Sequence, residues 1–437
     1  MVQTNTVFHP PEEDSPVNAN ASRLLPTRQT RNNSLLIGLG RRLLLTQLAD
    51  IEHGELILIE PDGTEHRFGK RSPKLDARIT LRVLDAQLFA DAAFGGTVGA
   101  GGAYIHGMWQ CDALTDLVRL FVINRHMMNA VDGKLNFIAQ PLLRLLHFFN
   151  RNSKSGSARN IAAHYDLGNA LYELMLDPTM AYSCGIFTTA DTSLEQASIA
   201  KFDAVCRKLR LSPNDKVLEI GTGWGGLAIH AAKNYGCHVT TTTISREQHD
   251  YAREKIARAG LEDRITLLLE DYRDLRGSFD KAFSIEMIEA VGERYLAGYL
   301  NKCSSLLRSH GAMLLQAITL QDQHYERARK SVDYIQRYVF PGSFIPSVNI
   351  ISRALTEATD LKIFHLEDIG PHYARTLAEW RRNFFDNIDK VRALGYPPSF
   401  ERLWEYYLCY CEGGFAERQL GDVQMLLTKP DCRFSIP

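Results

Sequence analysis

The 437-residue chain predicts an α/β fold, a mostly parallel sheet flanked by helices and preceded by a small α+β domain. Two observations carry this. From about residue 160 onward, short apolar or β-branched runs alternate with amphipathic stretches at the spacing of strand–helix units. Before that point the pattern changes to a hairpin, a half-buried strand and a helix. The length suits two or three domains. Hydrophobic residues at 45 % and charged residues at 23 % allow a large core.

Residues 1–33 are polar and rich in Pro, Asn and Thr, so a disordered tail is expected there. They lack the apolar centre of a signal peptide. Residues 34–150 read as the small domain. ELILIEPDGTEHRFG has two strand-like runs around Pro61-Asp62-Gly63, a hairpin signal. ARITLRVL alternates like a half-buried strand, and Asp112 opens a helical pattern, DALTDLVRLFVINRHMM. KLNFIAQPLLRLLHFFN (134–150) is strongly apolar but broken by Arg144 and His147. It fits a helix packed on its own domain, with a membrane-facing amphipathic helix as the alternative. Residues 151–160 are Ser/Gly-rich and read as a linker.

The larger domain spans 161–437. KVLEIG (216–221) is a buried-strand run, LAIHAAKNYG a helix ending at Gly236, and HVTTTTIS (238–245) a β-branched strand. REQHDYAREKIARAG is a helix stopping at Gly260. RITLLLED, KAFSIEM and AMLLQAITL are three further strands. The segment 321–360 is long for a simple connection. It reads equally as a cap over an apolar tunnel or as an excursion on the sheet edge.

A formal net charge of −1 argues against nucleic acid as a partner. The eight cysteines, Cys111, Cys184, Cys206, Cys237, Cys303, Cys409, Cys411 and Cys432, form no CxxC pair and no zinc-ligand spacing. A reducing cytoplasm is expected, and no metal is called for. No apolar run reaches the ~20 residues that span a bilayer.

Gly221-Thr222-Gly223-Trp224-Gly225-Gly226 gives GxGxxG spacing between strand and helix. The chain must turn tightly there and let a ligand approach the backbone. A dinucleotide enzyme expects an acid about 20 residues on. Here the second strand ends in Thr243-Ile244-Ser245, followed by Gln248. Glu219 instead precedes the first glycine, and E-x-G-x-G after an apolar strand resembles motif I of the Rossmann-like methyltransferases. S-adenosylmethionine is the cofactor this implies, held by Glu219, Gly221, Thr222, Gly223, Trp224, Gly225, Thr243, Ser245 and Gln248. Asp271 could accept from the adenine amino group and Tyr272 cover its ring.

HYDLGN (164–169), YSCGIF (182–187), VLEIGTGWGG (217–226), DYRDL (271–275), IEAVG (288–292), YVFPGSFIPS (338–347), GPHYARTLAEW (370–380) and YYLCYCEGGF (406–415) together resemble the cyclopropane fatty acid synthase family with its mycolic acid methyltransferase relatives. GAYIHGMWQCDALTDLVRLF (102–121) is similar to the domain that precedes the methyltransferase in the longer synthases. The resemblance implies a Rossmann-like class I methyltransferase sheet with helical insertions. It implies transfer of a carbon from S-adenosylmethionine to a cis double bond of a phospholipid acyl chain, then proton loss and ring closure. It also implies a cytoplasmic protein touching the inner membrane face peripherally, and by analogy a homodimer formed through the N-terminal domain.

By the same resemblance, Tyr182 and Ser183 would contact the methionine part of the cofactor. A bound bicarbonate would act as base, with Cys184 beside it, Glu289 orienting it, and Tyr373 and Cys411 lining the same pocket. Glu286 reads equally as cofactor-facing or structural. One departure stands out. Where the family commonly shows LLHTI, this chain has LLQAI, with Gln316. Glutamine hydrogen-bonds but carries no charge, so it is expected to keep an anion or water site of lower charge. EMIEAVG with LQAI also resembles relatives that methylate oleoyl chains without closing a ring, which leaves a methylene- or methyl-branched product as the alternative. A catalytically silent lipid-binding protein is the reading from another class.

Overall fold

The computed structural model describes Leu25 and residues 34–126 and 167–434. The rest of the expected tail, the apolar segment 134–150 and the linker 151–160 lie outside the described residues.

Helix α1 (Ser34–Leu48) leads into the expected hairpin of β1 (Gly54–Ile59) and β2 (Glu65–Lys70), paired antiparallel. Its turn closes where Asp62 accepts from the Thr64 backbone at 2.9 Å and Gly63 takes φ +89°, a conformation that favours glycine. Strand β3 (Arg78–Val83) pairs parallel to β1 and alternates buried with less buried residues. After α2 (Gln87–Ile105), β4 (Trp109–Cys111) completes a sheet of order β2-β1-β3-β4. Asp112 does not cap the next helix. Its carboxylate accepts from Thr80 N at 2.8 Å, and α3 runs only over Leu114–Ile123. The helix stops at Asn124, whose amide is drawn to the backbone of Glu52 and His53.

The second sheet has the order β10-β11-β9-β8-β5-β6-β7. Its parallel part is β5 (Lys216–Ile220), β6 (His238–Thr243), β7 (Ile265–Leu269), β8 (Phe279–Ile285) and β9 (Leu307–Leu320). Two antiparallel strands extend it, β11 (Leu420–Thr428) on β9 and β10 (Lys362–Asp368) at the edge. Neither was legible as a strand: β10 is exposed over most of its length and mixes charge with apolar residues.

Each face of the sheet has its own core. On one face lie α5 (Leu194–Leu209), α6 (Gly226–Tyr235) and α7 (Arg246–Arg258). On the other lie α8 (Leu296–Leu306) and α10 (Val348–Ala358). Ser193 opens α5 with a capping box and Ser245 caps α7, each satisfying an otherwise unpaired backbone N–H. Short helices α4 (Asn169–Met175), α9 (Asp322–Ala328) and α12 (Ile388–Ala393) accompany the long α11 (Pro371–Asp386) and α13 (Pro398–Ala416).

The segment 321–360 packs in two parts, the later one as the expected excursion on the sheet. Its α10 packs over the sheet beside α8. Its earlier π-helical turn, Ile335–Val339, packs instead against α13 and the N-terminal domain, where a Cβ on Gly101 would meet Tyr334 at 2.3 Å. Arg402 of α13 fastens the two domains, donating to the carbonyls of Tyr104 at 2.6 Å and Trp109 at 2.7 Å.

Candidate active site

A cleft opens at the carboxyl ends of β5 to β8, where ligands sit in open α/β sheets. Tyr182, Ser183, Glu219, Gly221, Thr222, Gly223, Trp224, Thr243, Gln248, Asp271 and Tyr272 line it. Gly221 and Gly223 take φ +100° and +52°. A Cβ on Gly221 would meet Met287 at 2.7 Å, whereas one on Gly223 would point into open space. The loop therefore presents bare backbone to whatever fills the cleft.

Below the loop, Glu219 accepts from the Thr241 hydroxyl, which also pairs with Thr222 at 2.7 Å. Burial pushes the Glu219 carboxyl up to about 8. Thr243 donates to Gln248 at 2.9 Å, fixing the amide at the tip of β6. Asp271 accepts from the Arg273 backbone at 2.9 Å, and the Arg273 guanidinium lies 5.1 Å over the Tyr272 ring. On the opposite wall, Tyr182 packs edge-on against Tyr172. Trp224 donates to Asn169 at 2.7 Å, tying the glycine loop to the HYDLGN motif.

Two of the residues expected at the cofactor stand at helix starts. Gly225 (φ +83°) starts α6 and packs on Ala252, and Ser245 uses its hydroxyl to cap α7. Neither is among the residues that line the cleft.

At the inner end of the cleft lies a buried polar cage. Glu286 lines the cleft and accepts from Cys184 N at 2.8 Å, Gln316 Nε2 at 2.8 Å and Tyr373 Oη at 2.6 Å. Its backbone φ is +49°, unusual for a residue with a Cβ. Burial raises its carboxyl, against the pull of these donors and of Lys201. Gln316 also donates to Asp422 Oδ2 at 2.9 Å and accepts from Gln424 at 2.9 Å. Burial, then the charges of Glu286 and Glu289, drive Asp422 well above the ordinary carboxylate range. Glu289 accepts from Ile318 N at 2.6 Å with Oε1, while its buried Oε2 has no hydrogen-bond partner. Burial and the neighbouring Glu286 raise Glu289 to about 8. Lys201, fully buried, donates to Ser183 Oγ at 2.7 Å.

The cage thus gathers Cys184, Glu289, Gln316 and Tyr373 as expected, but around a different centre. Gln316 keeps no donor for an anion, since both amide hydrogens go to carboxyl groups. Cys184 directs its thiol at the carbonyls of Gly185 and Ile369, and burial holds that thiol protonated. Cys411 lies on α13 between Tyr407, which pairs with the Tyr182 hydroxyl at 2.8 Å, and Phe415, whose ring is 4.4 Å from that of Tyr373. Residues four apart share a helix face, yet the acid that acts on the Cys411 thiol is Asp333 of the 321–360 segment rather than a cage carboxyl.

Sequence reasoning missed Lys201 and Asp422 and left Glu286 undecided. The signals were present. Lys201 falls on the buried stripe of α5 with Ala197, Ser198 and Val205. Asp422 and Gln424 alternate within an otherwise apolar run.

Comparison with known proteins fits this geometry. The mycolic acid cyclopropane synthetase family model matches residues 152–425. Tuberculostearic acid methyltransferase UfaA1 of Mycobacterium tuberculosis is 37 % identical over 341 residues, covering 76 % of this chain and 79 % of that protein. Cyclopropane-fatty-acyl-phospholipid synthase of Escherichia coli K12 is 34 % identical over 352 residues, covering 80 % and 87 %. The crystal structure of mycolic acid cyclopropane synthase CmaA1 complexed with SAH and CTAB superposes with a TM-score of 0.58 at 28 % identity, covering 62 % of this chain and 98 % of that one. The chain belongs to the mycolic acid cyclopropane synthetase family and is an S-adenosylmethionine-dependent methyltransferase.

Proposed function

We propose that the enzyme moves a one-carbon unit from S-adenosylmethionine onto the cis double bond of a phospholipid acyl chain and closes a cyclopropane ring. The observation that carries this reading is the junction of the glycine-loop cleft with the buried carboxyl cage: both are lined by Glu286. The residues present fit the cofactor. Bare backbone at Gly221 and Gly223, the carboxylate of Asp271 beside the Tyr272 ring, and the buried cation Lys201 complement a sugar, a base and a carboxylate. When bound, S-adenosylmethionine supplies an electrophilic methyl group.

The chain's residues do the rest. Alkenes are weak nucleophiles, so positioning dominates. A cation formed on the acyl chain needs aromatic faces close by, and Tyr182, Trp380, Tyr373 and Phe415 pack in succession beside the cage. A carboxylate must then accept a proton. Among the described residues no helix is long and apolar enough to cross a membrane. In this reading the lipid is met by peripheral contact, and the exposed Leu35, Leu36 and Leu39 of α1 support it.

A second reading, methylation without ring closure, draws on Gln316. An amide locked between two carboxyls replaces a residue able to carry charge. Mass spectrometry of acyl chains after incubation with S-adenosylmethionine and unsaturated phospholipid vesicles separates the two. A heavier product that resists hydrogenation supports the cyclopropane, and one that hydrogenation reduces supports the alkylidene. An unchanged acyl chain sinks both.

A further inference from the structure

Three of the groups expected around a bicarbonate have already given their donors to the protein. Tyr373 and Cys184 N donate to Glu286, and Gln316 donates to Glu286 and Asp422. What these donors enclose is a carboxylate of the chain itself. A carboxylate and a bicarbonate share a planar, delocalised O–C–O group, so the same donors satisfy either.

The backbone is bent to put it there. Glu286 occupies the left-handed region at φ +49°, which a Cβ disfavours. The conformation is held by its N–H donating to the Gln316 carbonyl at 2.8 Å. Strain of this kind at a cleft-lining residue marks a functional constraint. Charge points the same way. The buried cation Lys201 is already matched by Glu286, so a further anion would enter the cage without a countercharge.

We propose that Glu286 is the catalytic base, a built-in carboxylate standing where a bound bicarbonate would otherwise serve. The assignment rests on the acyl-chain reading above. As the alkene π pair forms the new carbon–carbon bond, the bond from sulfur to methyl breaks with its electrons staying on sulfur. A C–H bond of the transferred carbon then breaks. Its electron pair closes the ring onto the cationic carbon, and the proton passes to Glu286, which becomes neutral and is deprotonated to water between turnovers. Asp422, sharing the Gln316 amide, holds its own proton throughout, so the pair carries one charge rather than two.

The test uses the whole enzyme, methyl-labelled S-adenosylmethionine and vesicles of cis-unsaturated phosphatidylglycerol, with and without dissolved carbonate. It adds two independent readouts: calorimetric binding of S-adenosylmethionine, and carbon-13 NMR of labelled bicarbonate mixed with the protein alone. Wild type should turn over equally in carbonate-free buffer and bind no bicarbonate. Glu286→Gln should bind S-adenosylmethionine normally and lose about a hundredfold or more in kcat. Glu286→Gly, relieved of its strained φ, should acquire a bound bicarbonate signal and regain turnover as bicarbonate is added.

A wild type that stalls without carbonate, or binds labelled bicarbonate, overturns the proposal. So does a Glu286→Gln variant of near-normal kcat. Should that variant fail to fold, the two wild-type measurements decide alone. No label in lipid with wild type under any condition overturns the acyl-chain reading, and the base assignment falls with it, while cofactor binding remains measurable.

Discussion

The hydroxyls of Tyr182 and Tyr407 lie 2.8 Å apart, a hydrogen bond between the loop that walls the cleft and the helix that faces the cage. It links cofactor position to the domain-spanning α13. Removing one hydroxyl costs about 1 kcal/mol. Tyr407→Phe should therefore weaken S-adenosylmethionine binding by roughly fivefold while leaving the melting temperature nearly unchanged. Calorimetry checks this, and unaltered affinity would show that the pair is not coupled to the cleft.

Lys201 is buried among carboxyl groups, and burial lowers its pKa while Glu286 raises it. Removing one partner of a buried ion pair leaves an uncompensated charge and is strongly destabilising. Lys201→Met should lower the melting temperature and also bind S-adenosylmethionine about tenfold or more weakly, since Glu286 and the cleft lose their cation and the Ser183 hydroxyl its donor. A variant that loses stability and keeps affinity would make Lys201 structural.

Stability should fall as pH rises. Glu219 and Glu289 both stand near 8, against an ordinary value of 4.5, chiefly because burial penalises their charged forms. Between those values the folded state holds protons that the unfolded state has released. The contribution is complete below pH 4.5 and is lost as pH passes through about 8. Melting curves of the cofactor-free protein from pH 5 to 9 should slope downward, and Glu289→Gln should flatten that slope. An unchanged slope in the variant would remove Glu289 from the account.

Arg402 makes two hydrogen bonds to backbone carbonyls of the N-terminal domain and lies 4.4 Å over the Tyr104 ring. Arg402→Ala removes both of these bonds, and charge-assisted bonds are worth about 1.5–3 kcal/mol. Chemical denaturation should show a loss of roughly that size. Lysine should restore little, lacking the fork that reaches both carbonyls. Full rescue by lysine would count against this geometry.

The parallel strands and the glycine loop were legible because their signals are local: β-branched runs, serine caps and GxGxxG spacing each sit within a few residues. The cage was half legible. Cys184, Glu289, Tyr373 and Gln316 were found through their motifs, yet their common centre, Glu286, was not. A lone carboxylate after a strand has no periodic signature, and its positive φ is invisible until the chain is folded. Asp422 was hidden because its partner lies 106 residues away, across an antiparallel pairing that no short-range pattern announces. The helix-start positions of Gly225 and Ser245 were not legible for the opposite reason: a glycine inside the motif and a serine at a strand tip look the same whether they face the ligand or start a helix.

Strand β11 sets Gln424 directly opposite Gln316 and brings Asp422 beside it. These residues leave the ribosome after all five parallel strands. A partly synthesised enzyme can complete its glycine loop and five parallel strands while the cage still lacks one wall. Competence therefore waits until β11 docks, and a message truncated before that strand would yield a protein able to occupy cofactor without consuming it.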